Sequence, residues 1–157
     1  RAAIDLESSA LEAHGGALRE LPMSEVADRI SSLLAGQGWG LAHFDFAAAR
    51  EGVVSVELER SALAESAPRS RLSTRETPQF ACHLIAGALS ALMSHLAARR
   101  LVVREVACRA AGAESCTFVT VAAPRRAALD KALAAGARGL DGIRAALRRA
   151  PATLEEA

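Results

Sequence analysis

Three cysteines and one glutamate carry the most readable chemistry in this 157-residue sequence: Cys82, Glu105, Cys108 and Cys116. Cys108 and Cys116 lie equally far on either side of Gly112, so a hairpin folded about that glycine sets the two thiols opposite each other on neighbouring strands. Cys82 opens the apolar segment before this hairpin, and packing that helix end against the turn end delivers a third sulfur. Glu105 completes a set of three sulfurs and one oxygen, and Glu114, close to Cys116, is an alternative fourth ligand that spacing alone does not eliminate. Zinc suits such a set: it is soft enough for thiolate, accepts carboxylate, and tolerates a mixed tetrahedron. Four protein ligands leave no open position, so the expected ion is structural and activates no water. Glu105 and Cys108 are three apart, which on a regular strand sends them to opposite faces. A bulge or fraying near Val106 and Ala107 would return them to one face. The plainer reading is that the three cysteines are buried small hydrophobes.

The elements that must position these residues follow from periodicity and turn signals. A helix over 8–21 is interrupted by Gly15-Gly16 and closed by Pro22. Ser24 reads as the N-cap of a helix carrying Val26, Ile30, Leu33 and Leu34, stopped by Gly36, Gly38 and Gly40. Alternation over 39–48 and 53–59, with Glu51-Gly52 between, reads as a hairpin. Residues 61–78 are rich in Ser, Arg and Pro and read as an exposed loop. The segment 79–99 is apolar around most of its circumference and reads as a buried helix. Strands over 101–109 and 115–122 flank Gly112, and the tail over 126–149 reads as one amphipathic helix weakened by Gly136, Gly139 and Gly142. Strand pairs closed by short turns, with helices between them, give an α+β fold: an antiparallel sheet sandwiched with helices.

The run 78–121, with Cys82, Gly87, Glu105-x-x-Cys108, Gly112 and Cys116-x-Phe118, closely resembles the signature of the 4-vinyl reductase domain family. The resemblance implies the ligand-binding fold of NO-signalling and Golgi-transport proteins, shared with vesicle-tethering subunits, and usually dimeric. It implies a structural Zn2+ on Cys82, Glu105, Cys108 and Cys116, and a small apolar ligand held between helix and sheet. Domains of this kind serve as sensors of aromatic compounds in transcriptional activators and occur in proteins linked to bacteriochlorophyll synthesis. The resemblance divides the chain into a ligand-binding domain over 1–122 and a C-terminal amphipathic helix and tail over 123–157. Ser61 stands roughly where the phenol-sensing branch has a tryptophan, so the same phenol contacts are not implied.

Composition narrows the function further. Hydrophobic residues make up 51% and charged residues 24%, enough for one packed core and too apolar for a disordered chain. A net charge of +1 offers no long-range field for nucleic acid, and the tail arginines Arg144, Arg148 and Arg149 read as solvated helix charge. No apolar run is long enough to cross a bilayer and no secretory pattern opens the chain, so a cytoplasmic address is expected. There is no nucleophile-and-base arrangement, no phosphate loop and no nucleotide fingerprint, so no catalytic activity is expected. The leading expectation is a non-catalytic sensor or binding domain, a homodimer with a structural zinc and an apolar small-molecule ligand. The alternatives are a protein-interaction module of the tethering type and an accessory role in tetrapyrrole vinyl reduction. For the ligand pocket the candidates are Trp39, His43, Phe44, Phe46, Phe80 and Leu92, with His43 and Ser55 as polar contacts. His83, adjacent to Cys82, points about 100° away from it on a helix and is not expected to be a ligand.

Overall fold

The computed structural model describes residues 21–67 and 81–149. The helix expected over 8–21, and Phe80, lie outside the described residues. Helix α1 spans Met23–Gly36 and buries Val26, Ala27, Ile30 and Leu34 at helical spacing. Its N-cap is Pro22, not Ser24, and no side chain caps it. Proline suits the position because it has no N–H to leave unpaired and its φ is already fixed near −65°.

Strand β1, Leu41–Asp45, is shorter than the expected 39–48. Asp45 ends it: its Oδ1 accepts from the Ala47 N–H at 2.8 Å, and the chain bends into a 3-10 turn at Ala49–Glu51. Strand β2 is Val53–Glu59, β3 is Leu101–Ala107 and β4 is Cys116–Ala122. A short helix α2, Ala62–Ser66, follows β2. This corrects the expectation of an exposed loop from residue 61 onward, because the Ser61 side chain accepts from the Ala64 N–H and nucleates a turn there. Helix α3 is His83–Ala97.

The four strands form one antiparallel sheet in the order β1-β2-β4-β3, two hairpins joined through β2 and β4. Period-two alternation sends β4 side chains to two faces. Phe118 meets Ile30, Leu34, Ile85 and Leu89 under α1 and α3. Val119 and Val121 join Val53 and Val106 against Leu129, Ile143 and Leu147 on the opposite face. The second layer comes from the tail, which is two helices where one was expected: α4, Arg126–Ala134, and α5, Gly139–Arg149. Gly136 and Gly139 both adopt positive φ, 87° and 64°, so the chain reverses where a single helix would have had to run on. Helix α5 is tied down by Arg144 and Arg148, which both hold Glu51, and Arg125 donates to the Glu51 and Leu147 carbonyls. The helices and the four-stranded antiparallel sheet make the α+β sandwich anticipated from the sequence.

Candidate metal centre and apolar cavity

The four clustered residues come from three elements. Cys82 is the N-cap of α3, Glu105 lies in β3, Cys108 follows β3, and Cys116 begins β4. The β3–β4 register shifts between Glu105, opposite Phe118, and Ala107, opposite Thr117. That bulge accommodates the three-residue spacing: Val106 joins the opposite core, and Cys108 returns to the Glu105 side. Gly112, at φ 95°, closes the turn between Cys108 and Cys116, with the Ala113 N–H donating to the Cys108 carbonyl at 3.1 Å.

All four side chains are buried, and one ligand atom from each lies within 4.8 Å of all the others. The Cys82 and Cys116 sulfurs are 3.5 Å apart and those of Cys116 and Cys108 are 3.9 Å apart. A tetrahedron with zinc–sulfur bonds of about 2.3 Å has a sulfur–sulfur edge of about 3.8 Å, so the sulfurs already stand at tetrahedral separations. Glu105 supplies the oxygen. Its Oε2 accepts from the Cys82 N–H at 3.0 Å, while its Oε1 is buried with no hydrogen-bond partner. A buried carboxylate oxygen without a partner is costly unless a cation satisfies it, and the donor set fits one.

The surroundings also favour thiolate. The Ala81 N–H donates to Cys108 Sγ and the Arg109 N–H to Cys116 Sγ, each at 3.4 Å. Ser61, 0% exposed, places its Oγ 3.2 Å from Cys82 Sγ. Sequence reasoning gave Ser61 no such role: its nearest chemical partner is 21 residues away, and no local spacing signals the contact. Against these bonds, burial pushes the Cys82 thiol well above the usual thiol range and the Cys108 thiol up to about 11. A cation among the sulfurs offsets that cost by stabilising the charged form. Glu114 is exposed and outside the cluster, as is His83.

A cavity of about 380 Å³ lies between α1, the C-terminal end of α3 and the sheet. Phe44 and Phe46 line it, their rings stacked with centroids 6.1 Å apart. Trp39 and Leu92 are partly buried and pack against the core, away from the cavity wall. His43 is exposed on β1, its Nε2 3.6 Å from the Glu59 carboxylate. Ser55 is buried and alternates with Val54 and Val56, on the face that Val53 occupies. Neither polar candidate reaches the cavity. Its polar lining is Thr120 and Arg99, which the sequence reading did not single out. Among the described residues no helix is long and apolar enough to cross a membrane.

No curated protein matches the chain significantly. The family model of the 4-vinyl reductase domain matches residues 56–122, a stretch running from within β2 to the end of β4 and holding all four clustered ligands. The signature anticipated from the cysteine and glutamate spacing is therefore present, and residues 56–122 of this chain constitute a 4-vinyl reductase domain.

Proposed function

We propose that this chain is a non-catalytic, small-molecule-binding domain of the sensor type, with zinc as a structural ion on Cys82, Glu105, Cys108 and Cys116. The observation that carries the metal reading is the closed, buried set of three sulfurs and one carboxylate at tetrahedral separations. Zinc there would supply binding energy that ties α3 to the β3–β4 hairpin, and the protein ligands fill its coordination. The ligand reading rests on the family match and on the cavity, whose size lies within the roughly 300–1,000 Å³ range of small-molecule sites. In this reading the domain acts in the cytoplasm as a homodimer, with Leu84 of α3, 63% exposed, as part of the pairing surface.

Incubation with hydrophobic extracts, followed by native mass spectrometry, tests the ligand half. A retained apolar molecule is expected on the wild type and is lost in Ala27→Phe, which adds a ring to the cavity wall. A protein that retains nothing and copurifies with another chain would instead support the interaction-module reading.

A further inference from the structure

The cavity between α1, the end of α3 and the sheet has one ionised side chain in its wall. Val26, Ile30, Phe44, Met93 and Leu96 make its apolar surface, and no carboxylate lines it. Thr120, 3% exposed, places its hydroxyl 3.4 Å from Met93 Sδ and adds no charge. The charge is Arg99, exposed at the rim and without an acidic partner among the described residues. Its position is set by the backbone: Ala98 turns the chain out of α3 at φ 50°, and the Arg99 N–H donates to the Ser94 carbonyl at 3.2 Å.

We propose that this cavity takes an apolar molecule ending in a single carboxylate, with Arg99 receiving the carboxylate at the rim. The inference rests on the small-molecule reading above and adds the chemistry of the ligand's polar end. An apolar body matches the wall, whereas a carboxylate drawn inside would lose its hydration with no cation to replace it. At the rim it stays partly hydrated and meets a planar guanidinium, whose paired N–H groups match both carboxylate oxygens. An ammonium end would face the same guanidinium and be repelled. An alcohol end would gain only a neutral hydrogen bond.

The test uses three probes that share one apolar body: decanoate, decanol and decylamine, each below its aggregation concentration, titrated calorimetrically into the full chain. Decanoate should bind at least about tenfold more tightly than decanol, the difference expected for a charge-assisted over a neutral hydrogen bond. Decylamine should bind weakest. Arg99→Gln should abolish the carboxylate preference and leave decanol binding unchanged, which also reports that the variant is folded. Equal binding of all three probes, or a carboxylate preference that survives Arg99→Gln, overturns the inference and leaves the cavity reading standing. Binding of none of the three overturns the inference together with the cavity reading.

Discussion

The Oγ of Ser61 lies 3.2 Å from the sulfur of Cys82, and a second bond determines what the hydroxyl does there. The Ala64 N–H donates to the same oxygen at 3.3 Å, so one lone pair is engaged in capping α2 and the hydroxyl hydrogen is free to point at the sulfur. A thiolate that accepts such a bond carries less uncompensated charge, and ligand orientation is fixed from outside the cluster. Ser61→Ala should therefore lower zinc affinity by about 10- to 100-fold, measured by chelator competition, with Ser61→Thr retaining most of it. Unchanged affinity in Ser61→Ala would show that the hydroxyl serves the helix cap alone.

Replacing a cluster residue should differ sharply from replacing its neighbour. Cys108→Ser substitutes a poor zinc ligand at a site 1% exposed, and metal content per chain should fall together with the unfolding midpoint. His83→Ala, at an exposed position, should shift stability by no more than about 0.5 kcal/mol. Thermal unfolding with metal analysis on both variants checks this. Equal losses in the two would contradict the ligand assignment.

The Glu51 anchor gives a pH signature. Hydrogen bonds from Arg144 and then Arg148 hold the Glu51 carboxyl down at about 2, from an ordinary value of 4.5. A carboxylate depressed in the folded state adds stability above its unfolded pKa, and that contribution fades as pH falls toward the folded value. The wild type should therefore unfold at a higher temperature than Glu51→Gln at pH 6, and the gap should narrow steadily from pH 4.5 toward pH 2. A gap that stays constant across that range would mean that the carboxylate charge does not hold α5.

How far these features could be read from the sequence depended on whether the controlling contact was local. The β3–β4 hairpin and its two cysteines were legible because Gly112 fixes the turn midpoint and the strands are continuous in sequence. The bulge at Val106 could be anticipated as a requirement, since Glu105 and Cys108 cannot otherwise share a face. The two-helix tail was not resolved, because an apolar period continues through Gly136 and Gly139 and only their positive φ values reveal the reversal. Ser61 and the Thr120–Arg99 lining were invisible for a different reason. Each acquires its role from an element distant in the chain, and neither sits in a periodic or motif position that marks it.

The central claim, that the cluster holds a structural zinc, is tested most directly by elemental analysis of protein purified under reducing conditions, combined with circular dichroism during chelation. The account predicts about one zinc per chain, with loss of the folded signal as the metal is removed and its recovery when zinc is restored. Protein that is fully folded and contains no metal would contradict it.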